Sequence, residues 1–219
     1  MRPEHLKRFL RPAANLRVVR AETDEPEILL YDEIGWWGIT AEGFKRELDA
    51  LAAPTIHVRI NSPGGNVFDG IAIYNALREH SAHIVTHVDA MAASMASMVA
   101  LAGDEVRMAE NAFFMIHDPW VFALGNVREL RKTADTLEKL GGSLEATYEK
   151  RTGATHEQVR AWMEEETWLT GAEALEAGFI DMVVTEDADE TALEAAASFD
   201  LSVLPTRRMR SGRPRKPLR

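Results

Sequence analysis

Three short segments carry residue types that could perform acyl transfer. Asn61-Ser62-Pro63-Gly64-Gly65 is a turn of nearly bare backbone. Met91-Ala92-Ala93-Ser94-Met95-Ala96-Ser97 sets a serine among small residues, and Met115-Ile116-His117-Asp118-Pro119 sets a histidine just past an apolar run. Together they offer amide donors for an oxyanion, a hydroxyl nucleophile and a general base, which are the parts of a serine hydrolase. Each alone has a plainer reading. Serines among small residues on a helix usually pack, and Pro-Gly-Gly is usually only a turn.

The elements around these segments must position them. Residues 1–26 read as a basic N-terminal arm ending at Pro26. Glu27 to Tyr31 and Ile34 to Gly38 read as short strands. Thr40 is the predicted N-cap of a helix reaching about Leu51, with Phe44, Leu48 and Leu51 on one face. Thr55 to Ile60 alternates as a strand with one buried face. Val67 to Glu79 has helical period, with Val67, Ile71, Tyr74 and Leu77 forming its apolar face. A strand over Ile84 to Val88 leads, across a short turn, to a helix from about Ala93 to Gly103, with Ser94 in its first turn. Strands at Glu105–Met108 and Ala112–Ile116 follow. Strand and helix alternating in this order imply an α/β fold with parallel strands and crossover helices.

Asn126 to Lys150 is a long helical pattern whose stripe is Val127, Leu130, Ala134, Leu137, Leu140 and Leu144. Continuous, it would run roughly 37 Å and project from a compact body, suggesting self-association. Broken at Gly141-Gly142, it would be two core helices. Helices at Thr155–Glu165 and Gly171–Ala177 and a strand at Ile180–Val184 complete the body.

In this reading Ser94 is held by the backbone where a strand meets a helix, and the Met95 N–H is left without an intrahelical partner. The Gly65 N–H is the natural second oxyanion donor, because no Cβ blocks approach there. His117 lies at a strand's C-terminal end, where ligand groups of parallel sheets gather. The orienting carboxylate stays open among Asp118, Glu164, Glu165, Glu166 and Asp181. His57 points off the apolar face of its strand. His80, His83 and His87 have no carboxylate pattern that would support a metal site.

Composition narrows the classes. The chain has 219 residues, 46% of them hydrophobic, enough for one large domain. It has no cysteine, which excludes disulfides and a thiol nucleophile and suits a reducing compartment. The first 20 residues lack an apolar signal core, and Ala90 to Ala102 is too short and polar to span a bilayer, so the expectation is a cytoplasmic protein without membrane contact. The net charge of −10 includes seven basic residues after Pro205, leaving 18 basic against 35 acidic residues, or −17, before it. An acidic body disfavours nucleic-acid binding, except through the basic tail. Residues 186–219 read as a flexible tail, acidic and then basic.

The segments in order resemble the Clp protease proteolytic subunit family. Ile60 to Gly65, Ala92 to Met95, Met115 to Pro119, and Leu169-Thr170-Gly171-Ala172-Glu173-Ala174-Leu175-Glu176-Ala177-Gly178-Phe179-Ile180-Asp181 follow the family's motifs. The separations are 29 from Gly65 to Ser94, 23 from Ser94 to His117 and 49 from His117 to Glu166. The resemblance implies a ClpP/crotonase-like repeated β-β-α superhelix over residues 27–185, with 126–150 as a protruding helix. It implies Ser94 as nucleophile, His117 as base, Glu166 as acid where the family has Asp, and Gly65 and Met95 as the oxyanion hole, with Gly64 binding substrate. It implies a protein or peptide substrate, no metal or cofactor, and heptamer-type rings served by a Clp ATPase. Glu165 stands where the family often has Arg, and the N-terminal arm lacks the family's usual axial-loop sequence for docking that ATPase.

The stretch Tyr31 to Thr40 and the triplet Glu166-Thr167-Trp168 look more like a phage-associated branch, similar to head maturation proteases that act on capsid or scaffold proteins. The expected function is therefore a phage-type serine endopeptidase. The alternatives are a housekeeping Clp proteolytic subunit and a crotonase-type acyl-CoA enzyme, which would need no serine nucleophile.

Overall fold

Alternation along the central strands decides which way the sheet faces. Ile28 and Leu30, then Ile56, Val58 and Ile60, then Ile84 and Val88 are all buried and share one face. In the computed structural model, which describes residues 17–20 and 25–185, these belong to β2 (Pro26–Leu30), β3 (Thr55–Ser62) and β4 (His83–Ala93). With β1 (Arg17–Arg20), β5 (Glu105–Ala109) and β8 (Met182–Val184) they form a sheet in the order β1-β2-β3-β4-β5-β8. The strands from β2 to β8 are parallel; β1 is antiparallel to β2. The strand β1 falls inside the stretch read from sequence as an irregular arm. The rest of that arm and the tail from 186 lie outside the described residues.

Helices α1 (Ala41–Asp49) and α2 (Val67–Glu79) start where the sequence predicts. The Thr40 hydroxyl accepts from the Gly43 N–H, and the Asn66 side chain accepts from the Phe68 and Asp69 N–H groups. The buried face of α2 is Gly70, Ile73 and Leu77, rotated from the predicted stripe. Gly70 explains the rotation: a Cβ there would lie 2.5 Å from Cε of Met95, so the missing side chain lets α2 seat on α3 (Met95–Ala100). The predicted strand over 34–38 is a turn instead. Gly35, at φ +119°, accepts from the Gly38 N–H at 3.0 Å, and only Ile34 bridges, to Ile39 and Gly65.

The strand β4 runs five residues past its predicted end. It pairs with β5 through Val88 and then with β6 (Phe113–Ile116) from Met91 to Ala93. No turn therefore precedes Ser94; the strand delivers it directly. The strand β7 (Thr167–Thr170), which the sequence reading omitted, pairs antiparallel with β6.

The long helix is continuous. α4 (Val127–Thr152) has 26 residues, an Asn126/Glu129 capping box and Gly153 as a left-handed C-cap; at 1.5 Å per residue it is about 39 Å long. Its buried residues start only at Gly141, followed by Leu144, Glu145 and Tyr148, while Val127 and Leu130 are exposed. The N-terminal half therefore projects. The C-terminal half, with α5 (His156–Glu164) and α6 (Gly171–Glu176), closes the core, where Phe179 meets Phe114, Tyr148 and Trp162 at ring separations of 5.2, 5.9 and 5.5 Å.

The sheet's other face is polar. Arg59 donates to both carboxylate oxygens of Asp89, and Tyr31 donates to the same carboxylate. His57 Nδ1 lies 2.8 Å from His87 Nε2. Burial first, then the electrostatic influence of Arg59, the adjacent His57 ring and Arg107, hold the His87 imidazole down at about 3. Among the described residues, no helix is long and apolar enough to cross a membrane.

Candidate active site

Ser94 sits between β4 and α3 at φ 54°, ψ −125°, a conformation an L-residue adopts only under constraint, at a cost of about 1–3 kcal/mol. Its N–H donates to the Met115 carbonyl at 2.9 Å and its carbonyl accepts from the Ser97 N–H at 3.0 Å. Held this way, its Oγ lies 2.8 Å from Nε2 of His117.

His117 extends β6 by one residue, and Glu166 precedes β7 by one. Since Ile116 pairs with Thr167, the antiparallel register carries His117 and Glu166 toward each other. One carbonyl reinforces this: Met163 O accepts the N–H of Asp118 and the N–H of Glu166, each at 3.2 Å. Glu166 ends the α5 turn at φ 53°, a position glycine usually takes. Its Oε2 lies 3.8 Å from Nδ1 of His117, an ion-pair distance rather than a hydrogen bond. Both non-glycine residues with positive φ among the described ones are therefore in this site.

Burial pushes the His117 imidazole below its ordinary value, and the charges of Glu166 and then Asp118 oppose that. The imidazole is thus neutral at neutral pH and able to take a proton. None of the other carboxylates that the sequence left open pairs with the imidazole among the described residues. Asp181 accepts from the Val106 N–H at 2.8 Å and pairs with Arg151, and Glu164 pairs with Arg160 at 2.9 Å. Glu165 is exposed, and Asp118 contributes charge to His117 but no hydrogen bond.

The glycine turn lies against this group. The Gly64 carbonyl accepts from the Ile34 N–H at 2.7 Å, and the Asn66 N–H donates to the Ile34 carbonyl at 2.8 Å. That parallel bridge uses the groups on either side of Gly65, so the Gly65 N–H points the opposite way. The Met95 N–H opens α3 and has no intrahelical acceptor. A Cβ on Gly64 would stand 2.8 Å from both Met95 N and Ser94 Cβ, so glycine is needed for the turn to lie this close. The Gly64 N–H is taken by Ser62 Oγ at 3.1 Å. Gly64 therefore offers the site a surface rather than a hydrogen bond.

A cavity of about 340 Å³ opens over these residues. Its wall adds Glu33, Trp120 and Trp168, which the sequence reading did not assign to a site. Trp120 and Trp168 lie within three residues of His117 and Glu166, and that adjacency was the available signal. The histidines considered as metal ligands do not converge. His80 accepts from the Ala82 N–H, His83 faces Asp104 and His87 faces His57. Among the described residues no group of three or more side chains could hold a metal ion.

The sequence model of the Clp protease family matches residues 17–187. The chain belongs to the Clp protease family. It is 34% identical over 131 residues to an ATP-dependent Clp protease proteolytic subunit from Bacteroides fragilis, covering 59% of this chain and 63% of that one. It is 33% identical over 136 residues to the subunit of the same name from Streptococcus pneumoniae, covering 60% and 69%. The chain thus spans less than two thirds of the length of the Bacteroides fragilis relatives it matches, 63% of one and 60% of another. The fold is that of a ClpP1 mutant from Listeria monocytogenes, with a TM-score of 0.66 at 22% identity, covering 76% of this chain and 94% of that chain.

Proposed function

We propose that this chain is a serine peptidase and acts as the proteolytic subunit of a Clp-type protease on protein or peptide substrates. The observation that carries the reading is the 2.8 Å contact between Ser94 Oγ and His117 Nε2, with the Glu166 carboxylate beyond the other ring nitrogen. In this reading Nε2 takes the hydroxyl proton as Oγ bonds to the peptide carbonyl carbon. The carbonyl π pair moves to oxygen, which the Gly65 and Met95 N–H groups receive. The tetrahedral adduct collapses, the C–N bond breaks and His117 returns its proton to the leaving amine. Water, activated by the same imidazole, then hydrolyses the ester. Glu166 stabilises the imidazolium in both halves. The chain's own residues supply each of these steps without a cofactor.

The names of the relatives support work beside an ATP-driven Clp unfoldase more than capsid maturation, which rests on the two stretches Tyr31–Thr40 and Glu166–Trp168 alone. Ring assembly is part of the proposal. Trp120, Phe122, Leu124, Val127 and Leu130 expose apolar surface on and beside the projecting half of α4, as a surface that meets another copy would.

The test is hydrolysis of fluorogenic peptides by the wild type, Ser94→Ala and His117→Ala. The proposal expects each substitution to cost roughly 10⁴-fold or more in kcat, since members of such a unit act together. A folded wild type without peptide turnover, whose acyl-CoA turnover is unchanged in Ser94→Ala, would instead favour the crotonase-type reading, in which paired amides act without the serine.

A further inference from the structure

Behind Ser94 lies a second set of hydroxyls that the mechanism above does not use. The Ser97 Oγ donates to the Ser94 carbonyl at 2.6 Å, alongside the Ser97 N–H at 3.0 Å to the same oxygen. Tyr148 Oη lies 2.8 Å from Ser97 Oγ. A serine hydroxyl has one proton, and here it is committed to the carbonyl, so Tyr148 must be the donor in that contact. The order is therefore Tyr148 O–H to Ser97 O–H to Ser94 C=O. Ser97 and Tyr148 are both buried, so no water competes for these groups.

The Ser94 carbonyl and the Met95 N–H are opposite ends of one planar peptide unit. Whatever fixes the oxygen fixes the direction of the N–H. The ψ of −125° at Ser94 sets that plane, and it is a strained value that the peptide would leave by flipping if nothing held it. Two donors on the oxygen also draw electron density toward it, which makes the N–H a stronger donor, and a third hydroxyl behind them adds to the polarisation.

We infer that Ser97 and Tyr148 are positioning residues for the oxyanion donor, holding the Met95 N–H aimed at the developing negative charge through the shared Ser94–Met95 peptide. This rests on the serine-peptidase reading and deepens it. Neither residue touches substrate. Their effect falls on the transition state, where the oxyanion exists, and not on ground-state binding. Tyr148 comes from α4, so the long helix contributes to the site through one hydroxyl while its ring packs edge-on against Phe179.

The experiment compares wild type, Tyr148→Phe and Ser97→Ala in kcat, KM, melting temperature and affinity for a peptidyl boronate, whose tetrahedral adduct places an oxygen in the oxyanion hole. Tyr148→Phe keeps the ring and removes only the hydroxyl. Deleting a whole oxyanion donor costs about 10²–10³ in kcat, so misaiming one costs less: about fivefold for Tyr148→Phe and about twentyfold for Ser97→Ala. KM should stay within about twofold, and boronate affinity should weaken by the same factor as kcat. An active wild type whose Tyr148→Phe variant keeps kcat and boronate affinity, with only the melting temperature lowered, would reduce the pair to a packing brace and overturn the inference alone. A rise in KM at constant kcat would overturn it as well. A wild type that neither turns over peptide nor binds boronate would overturn the peptidase reading and this inference with it. If Ser97→Ala fails to fold, Tyr148→Phe decides the matter.

Discussion

Replacing Glu166 by Gln removes one negative charge and little volume, and its effect can be worked from the geometry. Oε2 stands 3.8 Å from His117 Nδ1. At that separation two unit charges at an effective dielectric of about 20 attract by about 4 kcal/mol. The Glu166 side chain is 34% exposed, and water at its outer edge screens the pair. Halving the attraction for that screening leaves about 2 kcal/mol, which falls on the imidazolium formed in the transition state and corresponds to about a 30-fold loss of kcat. A second consequence has a definite sign. The Glu166 charge raises the His117 value against the larger effect of burial, so removing it moves the imidazole further down. The base works only when neutral, so the acid limb of the pH–rate profile should shift to lower pH in the variant even as the plateau drops. Steady-state rates on a fluorogenic peptide from pH 4.5 to 8.5 give both numbers. A plateau within threefold of wild type, or an acid limb that does not move, would refute the assignment of Glu166.

Further outcomes follow from other contacts. Gly65→Ala should cost at least about 100-fold in kcat, because the new Cβ would stand 2.1 Å from the Ile34 carbonyl and must break the bridge that aims the Gly65 N–H. Rates near wild type would show that the turn is not under this constraint. His87, held near 3 by burial, stays neutral in the folded chain, whereas the unfolded chain takes up a proton below about 6.5. The stability it contributes is complete above that value and is lost as the pH falls toward 3, at about 1.4 kcal/mol per pH unit. The unfolding free energy from urea titrations at fixed protein concentration should drop by about 2 kcal/mol from this group between pH 6.5 and 5, and His87→Gln should show a shallower slope. An identical slope would refute the role. Phe179→Ala empties the centre of the aromatic cluster and should cost about 3–5 kcal/mol in denaturant unfolding; a loss below 1 kcal/mol would show that the cluster closes over the gap.

The candidate site was more legible in the sequence than the elements that align it. Ser94, His117 and the Gly64-Gly65 turn lie in segments whose composition is itself unusual: glycines where backbone must approach, small residues where a helix packs on a strand. Period placed α2 at both ends, because its apolar spacing is a local signal; the Asn66 cap that starts it comes from the structure. The choice of Glu166 among five carboxylates was not local. It depends on β7, four residues whose pairing with β6 is tertiary and whose Thr-Trp-Leu-Thr pattern is too short to distinguish from a loop. The missed continuation of β4 has a similar cause. Asp89 interrupts the apolar run, yet it is buried because Arg59 from the neighbouring β3 and Tyr31 just past β2 satisfy it. The turn at Gly35-Trp36-Trp37-Gly38 was read as a strand because its aromatics have strand propensity; both tryptophans are exposed and the glycines set the path. The long helix was readable as a pattern, but whether Gly141-Gly142 broke it depended on packing. Gly141 lies against Pro119, and a Cβ on Gly142 would meet open space, so neither strains the helix.

The most direct test of the account is to treat the assembled protein with a fluorophosphonate probe and map the adduct by peptide mass spectrometry. The account predicts a single adduct on Ser94, forming at least about 10³-fold more slowly in His117→Ala. An adduct on another serine, or a wild type that stays unmodified while fully folded, would contradict it.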